Sequence, residues 1–312
     1  MAVKKQSSAG IIHFRRFFIT YLWMIAAGAF LLRLGVAFEF SKINGGMNNM
    51  LCPPSVSDLH TYIKLGQEIA RGTFPKEFYY QPFYYAVFLP VIYLCSGFSI
   101  WAVAVVQALL GGATAFLAGL TGKELFGRTS GLLAALFTAI STPLLLYAPF
   151  HQNETLQCFN LVLLFFLLLK ALRKQKLFLW GAVGAAAAVA TLTRGNILLF
   201  TPLLLAALWL SSNITVRKKA CFTCLAAAVF LLVQLPFIVH NTRARGTLTG
   251  PSTAADAVLA LGNTPEAPPG GRNAGLPAGP MEYPQSFHDQ MERASQGVSL
   301  PRQMVSCFAT PR

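Results

Sequence analysis

Residues 78–98 read FYYQPFYYAVFLPVIYLCSGF, and whether this run crosses a bilayer decides the fold of the whole chain. Its apolar part, Phe83 to Phe98, is only 16 residues long and contains Pro90. A helix needs about 20 apolar residues to span a hydrocarbon core of roughly 30 Å. The leading Phe78-Tyr79-Tyr80-Gln81-Pro82-Phe83-Tyr84-Tyr85 is dense in tyrosine. Such rings favour the headgroup zone of a membrane. Taken alone, the run reads as a segment lying along an interface.

The rest of the chain tests that reading. Seven other apolar runs are present: Phe17–Phe38, Ile100–Thr121, Gly131–Phe150, Thr155–Leu172, Phe178–Thr193, Asn196–Ser212 and Ala220–His240. Lysine and arginine gather on the cytoplasmic side of membrane proteins, so Lys4, Lys5, Arg15 and Arg16 place the N-terminus there. If all eight runs crossed, Lys123, Arg128, Lys170, Arg173, Lys174 and Lys176 would fall outside. With residues 83–98 held at the interface, all of these join the N-terminus inside, together with Arg217, Lys218 and Lys219. The sequence therefore predicts an all-α, polytopic membrane protein with seven crossings. Residues 1–16 form a cytoplasmic N-terminus and residues 17–240 a transmembrane domain, whose outer loop, 39–100, carries interfacial helices. Residues 241–312 form an outer segment rich in glycine and proline, as in Pro265-Glu266-Ala267-Pro268-Pro269-Gly270-Gly271.

Composition agrees. The chain is 54% hydrophobic and 12% charged, against roughly 25% charged in a soluble domain. Its net charge of +14 sits in short segments between apolar runs, so topology accounts for it and nucleic acid is not an expected partner. The first run is long enough to remain in the membrane, and no small-x-small cleavage pattern follows it. Cys221 and Cys224 form a CxxC inside an apolar run, which suits helix packing better than metal binding. Cys52 and Cys307 share the outer side, which leaves a disulfide open.

The same topology puts three scattered charges on the outer face. Asp58 lies in Ser57-Asp58-Leu59-His60-Thr61-Tyr62, where it reads as a general base toward an acceptor hydroxyl or as a helix N-cap. Tyr62 follows one helical turn later. Glu154, in His151-Gln152-Asn153-Glu154-Thr155, reads as a functional acid or as a carboxylate at the positive end of a helix. Arg194 follows a run of 16 residues, Phe178–Thr193, about 24 Å of helix. It reads as a phosphate ligand or as an arginine reaching to headgroups. Arg33, inside the first run, has the same two readings. His60 and His151, beside the two acids, leave a divalent metal open. There is no phosphate-binding glycine loop, no Gly-x-Ser-x-Gly elbow and no HExxH.

In order along the chain stand Asp58-x-x-x-Tyr62, Gly66-Gln67-Glu68-Ile69-Ala70-Arg71-Gly72, Tyr80-Gln81-Pro82-Phe83-Tyr84-Tyr85 and Val106-Gln107-Ala108-Leu109-Leu110-Gly111. Leu125-Phe126-Gly127-Arg128, Glu154, Leu192-Thr193-Arg194-Gly195, Leu235-Pro236-Phe237-Ile238-Val239-His240-Asn241 and Gly262-Asn263-Thr264-Pro265-Glu266-Ala267 follow. This ordered set, over about residues 18–270, resembles the GT-C superfamily of polytopic glycosyltransferases, in the branch of protein O-mannosyltransferases and lipid A aminoarabinose transferases. The resemblance implies transfer of a sugar from a polyprenyl-phosphate-linked donor to a lipid, glycan or protein hydroxyl. The site would lie on the outer face of a bacterial inner membrane. It implies Asp58 and Glu154 as the catalytic carboxylates, and Tyr62, Arg194 and Asn241 as substrate-binding residues. Where many relatives carry a second acid directly after the first, this chain has Leu59. Relatives also continue with further membrane helices beyond the point corresponding to Arg312, so the resemblance implies a C-terminally shortened member. Two other readings stay open: a transporter or flippase for lipid-linked sugars, and an inactive truncated member of the family. Against the transporter, the polar groups gather at one face, whereas transporters place them at mid-bilayer in repeated halves.

Overall fold

The computed structural model describes residues 2–43, 46 and 58–254, with side chains of the first helix described from Phe17 onward. Among the described residues every regular element is helical. In chain order these are α1 (Ala2–Ile43), α2 (Asp58–Ala70), a π-helical turn (Tyr84–Phe88), α3 (Leu89–Ser96), α4 (Ile100–Phe126) and α5 (Arg128–Ile140). Then come α6 (Thr142–Leu146), α7 (Glu154–Lys174), α8 (Leu177–Thr193), a 3-10 turn (Gly195–Phe200), α9 (Thr201–Trp209) and α10 (Val216–Arg245). Cys52, Ser57, Cys307 and the tail from residue 255 lie outside the described residues, as do the side chains of Lys4, Lys5, Arg15 and Arg16.

Four stretches are long and apolar enough to cross a bilayer: Phe17–Ile43, Ile100–Phe126, Glu154–Lys174 and Val216–Arg245. Three of the other expected crossings are built from shorter helices, Arg128–Ile140, Leu177–Thr193 and Gly195–Trp209. The run that opened the sequence reading is short here too. Tyr84–Ser96 is a π turn leading into α3, with Pro90 in the first helical turn and Gly97 ending it at φ 64°. Its side chains face protein: Tyr84, Tyr85, Leu89 and Tyr93 are all fully buried, packed with Tyr62, Leu65 and Ile69 of α2.

One expected run is divided. Gly131–Phe150 reads as a single apolar stretch, but the structure ends α5 at Ile140, extends Ser141 and restarts as the short α6. Pro143 is the cause. A proline ring collides with the carbonyl four residues back, here that of Ala139, and the helix cannot continue through it. The carbonyls this frees are taken up by Arg33. Its guanidinium donates to Ala139 O at 3.2 Å, Thr138 O at 3.3 Å and Ala29 O at 2.9 Å. Arg33 is fully buried. It serves as a side-chain cap for a broken helix, which corrects both the headgroup and the phosphate readings of this residue. Gly111 on α4 makes room for it, since a Cβ there would overlap the Arg33 side chain.

The helices pack in a row: α5 and α1 on α4, α4 on α7, α7 on α8, and α8 on α10. Small residues let them approach, as expected where lipid supplies no hydrophobic drive between helices. A Cβ at Gly184 of α8, for example, would strike the backbone of Ala226 on α10. One core fills the α7–α8–α9–α10 side around Trp180, Leu164 and Phe222. A second lies under α2 and α3 and takes Val103, Leu156, Leu192 and Phe237 from α4, α7, α8 and α10. That second core sets the candidate site on the bundle.

Candidate functional site

Ion pairs define the two ends of the bundle. At one end Glu124 of α4 accepts from Lys170 of α7 at 2.6 Å and also from Arg173. Lys123 lies over the Phe18 ring at 4.9 Å, bringing the start of the described part of α1 to this end. Gln175 donates to Asn213 O at 3.2 Å, and Lys219 to Trp209 O at 2.7 Å. The cations expected to share one membrane side thus gather at one end of the helices.

Asp58, Tyr62, Glu154 and Arg194 stand at the other end. Asp58 is the first residue of α2 and is exposed, so it combines a carboxylate at a positive helix end with solvent access. Tyr62, one turn on, is buried and donates its hydroxyl to Gln81 Oε1 at 2.5 Å. Its ring packs edge-on against Tyr84 and stacks on Tyr85. Burial, then the negative charges of Asp58 and Glu154, push the Tyr62 hydroxyl well above its ordinary pKa, while Arg194 pulls it back down. Tyr62 is therefore a neutral donor that lies within the fields of all three charged residues.

Glu154 opens α7 and Arg194 closes α8, and the two meet with Arg194 Nη1 3.3 Å from Glu154 Oε1. The pair is half open, with side chains 45% and 28% exposed. A clamp below holds the two helix ends in register. Asn153 Nδ2 donates to Thr193 O at 2.8 Å, and Asn160 Nδ2 to Thr193 Oγ1 at 3.2 Å. Around this clamp several buried polar atoms lack partners: Glu154 Oε2, Thr155 Oγ1 and both amide atoms of Gln157. Buried polar groups are nearly always paired, and no protein atom pairs these four.

Asn241 is placed differently. It is fully buried, accepting from Phe78 N at 2.7 Å and donating to Phe78 O at 3.2 Å and to Gly250 O at 2.9 Å. Its amide is occupied by backbone and holds the segment around residue 78 against α10. The structure does not bring it to Glu154 and Arg194 as a group facing them. His151 is fully buried against Tyr93, with ring centroids 6.2 Å apart, and burial pulls its pKa down to about 4. Among the described residues no group of three His, Cys, Asp or Glu side chains could hold a metal ion. The residue that the chemical reading of the sequence passed over is Gln107. Fully buried on α4, it accepts from the Tyr84 hydroxyl at 3.1 Å and donates to Ala148 O at 2.9 Å and Phe150 O at 2.6 Å. A glutamine within an apolar helix was the available signal.

A helical integral membrane protein with a charged cluster at one end, beside the short helices α2 and α3, is the class that fold and site define. Residues 80–240, just over half of the chain, match the family described as dolichyl-phosphate-mannose-protein mannosyltransferase, and the chain belongs to that family and so to the GT-C superfamily. It is also 30% identical over 164 residues to a protein of Bacillus subtilis (strain 168) named "Putative mannosyltransferase YkcB". That match covers 52% of this chain and 23% of the relative, so the chain spans about a quarter of the length of the relative it matches.

Proposed function

We propose that this protein is a glycosyltransferase that moves a sugar from a polyprenyl-phosphate-linked donor to an acceptor hydroxyl at the outer membrane surface. The observation that carries this is the meeting of Asp58, Tyr62, Glu154 and Arg194 at the end opposite the basic cluster. Family membership supports the donor class. Asp58 takes the proton of the acceptor hydroxyl, and the acceptor oxygen forms its bond to the anomeric carbon. The bond from that carbon to the phosphate oxygen breaks, and the electron pair leaves with the polyprenyl phosphate. Arg194 meets the charge that develops there, a role suited to a guanidinium fixed in advance. Glu154 holds Arg194 with one oxygen and accepts from a sugar or acceptor hydroxyl with the other. Tyr62, kept neutral and with its proton given to Gln81, holds the α2 wall of the cluster beside Asp58.

The test is transfer of radiolabelled sugar from polyprenyl-phosphate mannose by the protein in proteoliposomes. Asp58→Asn should lower transfer by roughly a hundredfold or more, the usual scale for a lost general base, with insertion and melting unchanged. Full activity in that variant removes Asp58 from the chemistry. Movement of the donor across the bilayer without transfer would favour the transporter reading.

A further inference from the structure

A groove of about 560 Å³ opens on the flank of α10, lined by Lys76, Pro236, Val239, His240, Arg243 and Ala244. Two cations from separate segments, Lys76 and Arg243, share it, and no carboxylate lines it. The nearest acid in sequence, Glu77, is occupied by Arg245 at 2.8 Å. Neither Lys76 nor Arg243 forms an ion pair among the described residues. His240 is held in place by donating to Pro75 O at 3.0 Å, which fixes the Lys76 segment against the helix. Exposed cations at this end also run against the pattern that gathered the other bases at the far end, so the groove has uncompensated positive charge where few bases are expected.

Below the cations the same face of α10 is apolar. Leu232, Pro236, Val239 and Arg243 recur at spacings of four, three and four residues, which is one helical stripe. Leu232 is 65% exposed and Pro236 is exposed as well. Its apolar part, Leu232 to Val239, is about 10 Å long, about a third of the roughly 30 Å thickness of a bilayer core. A cationic head over an apolar track has the shape and charge complement of the upper part of a phospholipid. We infer that this groove binds an anionic phospholipid, with its phosphate between Lys76 and Arg243 and an acyl chain along Leu232, Pro236 and Val239. None of Asp58, Tyr62, Glu154 and Arg194 lines the groove, and the inference does not depend on the proposed reaction.

The experiment is native mass spectrometry of the delipidated full chain, titrated with phosphatidylglycerol, with phosphatidylcholine and with polyprenyl phosphate. Phosphatidylglycerol should bind the native protein roughly tenfold or more above phosphatidylcholine. In the Lys76→Gln/Arg243→Gln variant its affinity should fall by roughly thirtyfold, on the scale of about 1 kcal/mol for each juxtamembrane cation. The charge-keeping variant Lys76→Arg/Arg243→Lys should retain the preference, as should Lys218→Gln at the opposite end. Equal binding of both phospholipids, or an undiminished preference in the double glutamine variant, overturns the inference. So does polyprenyl phosphate displacing phosphatidylglycerol with the same dependence on Lys76 and Arg243, because the groove would then be a carrier-lipid site.

Discussion

The two acids that anchor the ends of this bundle are paired in opposite styles. Glu124 engages both carboxylate oxygens, one with Lys170 and the other with Arg173. Glu154 engages one oxygen with Arg194, and its second oxygen is buried without a partner. The first arrangement is complete and ties α4 to α7. The second is left unfinished in a place where burial makes that costly, and Gln157 next to it is left the same way. A completed network holds a fold, and the unfinished one at Glu154 is where the proposed substrate would supply a partner. The contrast separates the structural end of this molecule from the end proposed to do chemistry.

The contrast breaks first at Glu154. Glu154→Gln keeps the size of the side chain but loses the charge that positions Arg194. Transfer should fall about a thousandfold, or about 4 kcal/mol in barrier height, with the melting temperature unchanged. A large loss of stability with modest loss of activity would make Glu154 as structural as Glu124.

His151 sharpens the contrast through pH. Its folded-state pKa of about 4 lies below the ordinary 6.5 because burial disfavours the charged ring. A group depressed in this way contributes stability that is full above about pH 6.5 and lost as pH falls through about 4, here on the order of 3 kcal/mol. Melting followed from pH 7 to pH 4 should show this loss, and His151→Phe should flatten it. Parallel curves would assign the acid sensitivity to other groups.

Two smaller effects test the packing. Gly111→Val drives a side chain into Arg33 and should cost about 2 kcal/mol, read as a lower melting temperature. An unchanged melting temperature would show that Arg33 can leave its carbonyls freely. Glu124→Gln should cost under about 1 kcal/mol, because its partners are partly solvated, and should leave sugar transfer intact. A loss of transfer there would join the two ends functionally.

The sequence made the membrane architecture legible because charge placement and run length are one-dimensional quantities. The short run at 83–98, the clustering of Lys123, Lys170 and Arg173 at one end, and the placing of Glu154 and Arg194 at the other follow from them, but the ion pair between those two does not. The division after Ile140 does not, since the apolar run continues across it. Pro143 was the visible cue, and Arg33 as its remedy depends on a contact between helices more than a hundred residues apart in sequence. The role of Asn241 was hidden for the same reason. A motif places a residue in line but does not say whether its amide faces substrate or backbone. The unpartnered Gln157 became visible only once burial was known.

The bond between Asn241 and Phe78 joins residues 163 positions apart. During synthesis, Phe78 and its neighbours emerge long before α10 does. They therefore wait, without their final brace, until the last of the described helices has been made. The end of the bundle that carries Asp58, Glu154 and Arg194 would then be among the last parts to set, and a ribosome that stopped before Asn241 would leave the helices threaded and the segment around Phe78 without its brace.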